Sequence, residues 1–383
     1  MAKSENVAVL ERKEGESVKQ EYNELMSYRN QRTEMAKACA ELTVPALFPP
    51  LNVAKDYIFP KPYQSIGSRG VNNLAAKLML TLFPPTQTLF RLEIPSETLD
   101  KLGVQSRGEV EKGFRRVEKA VSLQIQTSGA ISSLYEGIKQ ILVAGNVLFH
   151  VMPERGIKVI RLSNFVVKRD TEGNILKIIT MEKIDFRTLD IEIQNYVRSN
   201  QAKGVVEDEE SDEREVELYT DIERVSIDKW KVYQEVDGVI LDTKKSSTGY
   251  YSNDELPFIV GIYALTHGED YARSFVEEVI GDLLSLEGLS RVILEGSQAL
   301  ARMLFLVNPG STLDPSEVER AENLACLSGK DGDIVPVHIN KAADLQVSAQ
   351  TAQELKNNLA QAFLLSSVRS AERVEKIMLP SLN

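Results

Sequence analysis

The order of hydrophobic patterns along this 383-residue chain predicts an α+β fold. Three observations carry that reading. Helical periodicity recurs in blocks up to about residue 144, short apolar runs separated by turn residues fill the middle, and a proline-free stretch from Glu269 to Arg302 reads as one long helix. A composition 43% apolar and 26% charged supplies a core and carries no disorder signature.

Residues 1–16 are polar and read as a frayed, flexible N-terminus. The first helix is expected from Ser17 to about Leu42, with Val18, Tyr22, Leu25, Met35 and Ala38 among charged residues. Thr43-Val44-Pro45 stops it, because a proline pushes the residue before it out of the helical region. Five prolines and four aromatics over 45–63 predict an irregular, packed connection. A second helix is predicted over about Gly70–Phe83 from Val71, Leu74, Ala75, Leu78, Met79 and Leu82, ended by Pro84-Pro85. Thr88–Ile94 alternates like a short strand. Helices at about 106–126 and 130–144 follow, and Gly145-Asn146 supplies the left-handed cap of the latter.

Short apolar runs predict strands at 147–152, 157–162, 164–168 and 175–181, with Asp170–Asn174 as a hairpin turn. A helix is expected at 183–198. Glu207–Glu223 carries ten acids against the single base Arg214, and strands at 216–222, 228–236 and 239–243 follow, with Asp237-Gly238 as a turn. Pro257–Leu265 reads as one more strand. The 269–302 helix, on the order of 45 Å long, is broken by Asn308-Pro309-Gly310, and a last helix is expected over 348–365.

The charge balance, 45 Lys+Arg against 56 Asp+Glu for a net −11, argues against a surface built to grip phosphates. Two cysteines, Cys39 and Cys326, exclude a disulfide scaffold and a Cys-rich zinc site. No apolar run is long enough to span a bilayer, and the charged first 20 residues do not read as a signal peptide, so a soluble protein made in a reducing cytoplasm is expected. Gly329-Lys330 is followed by Asp331, without the glycine and hydroxyl of a P-loop. His150, His267 and His338 are isolated. The carboxylates Glu269 and Asp270 beside His267 could hold a metal, but acids at the start of a helix explain them more cheaply. The 207–223 acids could likewise form a two-metal nuclease site, although a dense like-charge run is usually a solvated loop or partner face.

Eight stretches, in order, resemble the portal (head-to-tail connector) proteins of short-tailed, podovirus-type bacteriophages. They are Thr43-Val-Pro-Ala-Leu-Phe-Pro49; Gly67-Ser-Arg-Gly-Val-Asn-Asn-Leu-Ala-Ala-Lys-Leu-Met-Leu-Thr-Leu-Phe-Pro84; Lys139-Gln-Ile-Leu-Val-Ala-Gly-Asn-Val-Leu148; Arg169-Asp-Thr-Glu-Gly-Asn174; Gly268-Glu-Asp-Tyr-Ala-Arg-Ser274; Gly281-Asp-Leu-Leu-Ser-Leu-Glu287; Leu306-Val-Asn-Pro-Gly310; and Glu372-Arg-Val374. The resemblance implies a portal fold with a mixed helix/strand wing, long stem helices and a small clip. In this numbering the wing would be 17–265, the first stem helix 266–302, the clip 303–345 and the second stem helix 346–365. Residues 366–383 would begin the tunnel loop. Glu375–Asn383 does not resemble the family's continuation, so the C-terminal crown is expected to be absent.

The implied function is a dodecameric ring at one capsid vertex of the virion, assembled in the host cytoplasm, through which double-stranded DNA is packaged and ejected. Its partners would be terminase, scaffolding protein, major capsid protein and tail adaptor proteins, with no cofactor, metal, membrane or catalysis. A mainly acidic wall with a few basic rings would give weak, sequence-independent DNA contact. Lys330, Arg369, Arg373 and Lys376 are the candidates for those rings, with solvated surface charge as the equal alternative for each. Arg69, Asn72, Asn73 and Lys77 are expected to fix the wing structurally through the polar side of their helix. A metal-dependent nuclease or other DNA-processing enzyme is the alternative function.

Overall fold

A computed structural model describes residues 17–49, 57–84, 90–93, 104–152, 156–200, 214–241, 248–301, 304–308, 334–337 and 342–365, together with positions 314, 316, 320 and 330. The helices are α1 (Val18–Glu41), α2 (Ile66–Leu82), α3 (Val104–Thr127), α4 (Ala130–Ala144), α5 (Ile191–Asn200), the single turn α6 (Phe275–Glu278), α7 (Ile280–Ala301) and α8 (Ala342–Ala362). Strands β1 (Asn146–Met152), β2 (Gly156–Arg161) and β9 (Phe258–Ile262) make an antiparallel sheet in the order β2-β1-β9. The larger sheet runs β3 (Phe165–Arg169), β4 (Ile175–Asp185), β5 (Glu215–Ser226), β6 (Lys229–Val236), β7 (Val239–Leu241), with β8 (Gly249–Ser252) also on β6. A third, two-stranded sheet pairs β10 (Leu304–Val307) with β11 (Ile334–Val337).

Alternation along the larger sheet splits its two faces. Phe165, Val167, Ile178, Ile222 and Val232 enter the main core, which continues through Val71 of α2 and Val143 of α4 to Leu283, Leu286, Leu359 and Phe363 of the helix pair. Val166, Ile179, Tyr219 and Tyr233 face the other way and are covered by Val18 and Tyr22 of α1. Local chemistry sets the joints. Gly145 ends α4 at φ +74 and packs its α-carbon against the backbone of Ala272 and Arg273, where any Cβ would overlap. Asp237 and Gly238, both at positive φ, form the β6–β7 turn.

Three elements differ from expectation. The helix expected over 183–198 starts only at Ile191, because Glu182–Asp185 stays paired with β5, Lys183 opposite Glu217 and Asp185 opposite Glu215. Asp185 then accepts the Arg187 N–H at 2.9 Å and turns the chain. The helix expected from Glu269 begins at Ser274, whose hydroxyl accepts the Glu277 N–H at 3.0 Å, and it is interrupted at Val279 before α7. Residues 264–274 instead form a strap. Asn146 accepts the Ala272 N–H at 2.9 Å and donates to the Ala272 carbonyl at 2.8 Å, while the buried Tyr271 hydroxyl accepts the Val167 N–H at 2.9 Å. Finally, 90–93 is irregular, and the rest of the strand expected at 88–94 lies outside the described residues.

Candidate functional site: the helix pair and its α2 clasp

Gly296 of α7 meets Leu345 of α8 while Phe275 meets Phe363, so the two long helices run antiparallel. Leu283 and Leu286 on one, and Ala352 and Leu359 on the other, form the buried seam. The outer surface keeps large apolar side chains in water: Leu284, Val292, Leu294 and Val347 are each about half exposed. On α7 the exposed ion pair Arg291–Glu295 stands among them, so the surface mixes apolar and charged groups as protein-contact surfaces do.

Helix α2 grips both members of the pair. The Glu287 carboxylate of α7 accepts the backbone N–H groups of Tyr63 and Gln64 at 2.8 and 3.2 Å. Gln64 in turn accepts the Gly67 N–H at 2.9 Å and donates to the Leu42 carbonyl at 2.7 Å, which starts α2 a turn earlier than its hydrophobic spacing suggests. Further along, Asn73 donates to the carbonyls of Phe363 and Leu364 at 3.1 and 3.3 Å, and the Lys77 ammonium lies 2.6 Å from the Leu364 carbonyl. These oxygens follow α8 directly, where helix carbonyls lack intrahelical donors and a cation is favourable. Leu364 is left-handed at φ +53, a conformation usually left to glycine. The Phe363 ring is fully buried against Gly70, whose missing side chain makes the cradle, and meets Phe275 edge-to-face at 5.4 Å.

Asn73 and Lys77 therefore meet at the end of α8. Asn72 joins a different contact, its carbonyl accepting the Tyr135 hydroxyl at 3.3 Å. The exposed Arg69 side chain has no hydrogen bond or ion pair among the described residues. Lys330 is exposed, and Arg369, Arg373 and Lys376 lie outside the described residues. Glu287 and Phe363 are the residues the sequence reading missed. The available signal was Gly70 inside a helix, where glycine is costly unless something approaches closely.

The candidate metal carboxylates have other occupations. Glu269 pairs with Arg32 at 3.5 Å and Arg273 at 3.2 Å, and Asp270 with Lys168 at 3.1 Å and the Arg169 N–H at 2.7 Å. The helix-start explanation for these two acids is thereby corrected: they brace the strap, several residues before any helix. No His, Cys, Asp and Glu grouping fit for a metal occurs among the described residues. Of the acidic run, 207–213 lies outside them and 215–223 is in β5.

Within β5, Asp221 is fully buried beside the equally buried Lys177, 3.2 Å away, with the Tyr233 hydroxyl donating to it. Lys177 also contacts Glu21 of α1 at 2.7 Å and stands opposite Glu223 in the sheet register. Burial opposes the lysine's charge, but Asp221 and Glu21 outweigh it and hold its pKa above the ordinary value. Burial pushes Asp221 up to about 6, against the attraction of Lys177. One cation is shared among several acids. These groups hold α1 to the sheet, as do Glu235, accepting the Val18 N–H at 2.8 Å, and Arg29, donating to the Phe165 carbonyl at 2.8 Å.

A model of the family described as bacteriophage head to tail connecting proteins matches residues 15–376. The chain belongs to this family. The head-to-tail connecting proteins it resembles include the portal protein of Enterobacteria phage T3, 33% identical over 94% of this chain and 67% of that one. The portal protein of Escherichia phage T7 is likewise 33% identical over 94% and 67% of the two chains. That of Pseudomonas phage phiKMV is 28% identical over 82% of this chain and 61% of its own. Superposition on the neck of an empty gene transfer agent particle covers 60% of this chain and 52% of the other at 13% identity, with a TM-score of 0.31, too low to speak for the fold. Head-to-tail connecting proteins are structural components of the virion. None of the described helices is long and apolar enough to cross a membrane.

Proposed function

We propose that this chain is the portal subunit of a phage particle, closing with identical copies into a ring, dodecameric as in the family it resembles, at one capsid vertex. Double-stranded DNA enters through the ring during packaging and leaves through it at ejection. The ring binds major capsid and scaffolding proteins, then a terminase that supplies the ATP hydrolysis, and finally tail adaptor proteins. The chain itself catalyses nothing. Residues 17–265 form the wing, 266–302 the first stem segment, 303–345 the clip and 346–365 the second stem helix.

The observation that carries this reading is the antiparallel α7–α8 pair, clasped by α2 yet bearing Leu284, Val292, Leu294 and Val347 in water. Neighbouring copies would cover that surface. Electron micrographs of the purified protein test it: rotationally symmetric rings with a central hole are expected, and a uniform population of compact monomers from the full-length phage protein refutes it. Incubation with duplex DNA and magnesium or manganese is expected to leave the DNA intact.

A further inference from the structure

The two long helices differ in the chemistry they leave exposed. On α8, Gln346, Gln350, Gln353, Asn357 and Gln361 are all exposed. At 100° per residue they fall within a stripe about 80° wide, running about 22 Å along the helix. The stripe lies opposite the seam formed by Ala352, Leu355 and Leu359. Alanines 349 and 360 border it on one side, and the nearest charges, Glu354 and Lys356, flank it on either side. In a chain with 26% charged residues and a net −11, a solvent-facing stripe of carboxamides with no formal charge is a distinct feature.

We infer that this carboxamide stripe is the surface on which duplex DNA slides, an inference that rests on the ring proposed above. The outer face of α7 mixes the apolar Leu284, Val292 and Leu294 with the ion-paired Arg291 and Glu295, a composition that suits a neighbouring subunit, which leaves the α8 stripe for the bore. Its amide N–H groups match phosphate oxygens, the hydrogen-bond acceptors that dominate a duplex surface. Being neutral, they displace no counterions, so contact is weak, independent of sequence and nearly insensitive to salt, whereas each lysine on a phosphate steepens the salt dependence. Carboxylates would repel the duplex and apolar side chains would give it no hydrogen bonds. Carboxamides alone among these provide contact without grip.

Two experiments on intact particles test the inference. Gln353→p-benzoylphenylalanine in portals of DNA-filled heads is expected to photo-crosslink to DNA along its whole sequence. A crosslink to an adjoining subunit, which would mean that the amides pair across copies, or no DNA adduct at all, overturns the inference while leaving the ring reading intact. Absence of rings in micrographs removes both. Gln350→Lys and Gln353→Lys are expected to slow packaging at 50 mM salt and recover by 200 mM, about 3.5-fold for each lysine that reaches a phosphate. Gln353→Asn should package like wild type. If both lysine variants form rings and keep the wild-type salt response, the stripe does not meet DNA.

Discussion

Phe363→Ala is the most direct test of how the helix pair is held. The ring is fully buried, sits in the cradle left by Gly70, and meets Phe275 edge-to-face at 74°. An aromatic side chain in such a place buries roughly 150–250 Å², and at about 25 cal/mol per Å² that is on the order of 4–6 kcal/mol of transfer free energy. Measured Phe→Ala costs of about 3–5 kcal/mol agree with the lower part of that range. The loss is local, because Phe363 lies where α8 ends on α2. Urea unfolding should show a destabilisation of about 3–5 kcal/mol, and hydrogen exchange should show protection lost first in the last turns of α8 and in α2. The companion Gly70→Ala should produce the same exchange pattern by displacing the ring. A cost under about 1 kcal/mol for Phe363→Ala, or exchange spread evenly through the sheet, would refute the clasp as the anchor.

Asn73→Leu removes the donor to the Phe363 carbonyl and should cost about 1–3 kcal/mol by leaving that oxygen short of a partner, read as a lower urea midpoint with unchanged slope. Gly145→Ala forces a side chain into a left-handed position against the Ala272 and Arg273 backbone, and a loss of about 2 kcal/mol or more is expected by thermal unfolding. Asp221→Asn should change the pH response. The folded pKa of Asp221, about 6, lies above its ordinary 3.8, so the native state holds the proton more tightly. The associated stability is full below pH 4 and is lost as pH rises to about 6, on the order of 3 kcal/mol for a shift of this size. The asparagine variant should lack that decline, and urea midpoints falling in parallel for the two proteins between pH 4 and 6 would exclude Asp221 as its source.

Much of the local structure was legible because its causes are local. The first helix ends before Pro45, α4 ends at Gly145, and Asp237-Gly238 turns the β6–β7 hairpin, each for a reason contained within a few residues. The 183–198 segment misled because nothing local in Glu182–Asp185 separates a helix from a strand, and pairing with β5 decides. The strap at 264–274 misled for a similar reason. Its pattern continues that of the helix behind it, but Asn146 and Val167, over a hundred residues away, hold its backbone open. The clasp was only half visible. Asn73 and Lys77 were identified as structural, yet Glu287 and Phe363 act through contacts separated by more than 200 residues, which no periodicity records.

The two attachments to the sheet differ in how much charge they use. Helix α1 combines the apolar Val18 and Tyr22 with charged contacts at its N-terminal half: Lys19 on Glu217, Glu21 on Lys177, the Val18 N–H on Glu235. The helix pair is held by Leu283, Leu286, Leu359 and Phe363, with polar contacts confined to its ends. Protons reach the first set through Asp221, which contacts Lys177 and whose carboxyl is pushed up to about 6 by burial, and act weakly on the second. Raising the pH through 6 should therefore loosen the sheet face beneath α1 while leaving the α7–α8 seam as it was. The contact of α1 with the sheet can adjust without disturbing the α7–α8 seam, because Asp221 and Lys177 lie on the α1 face while the seam joins the core on the other face.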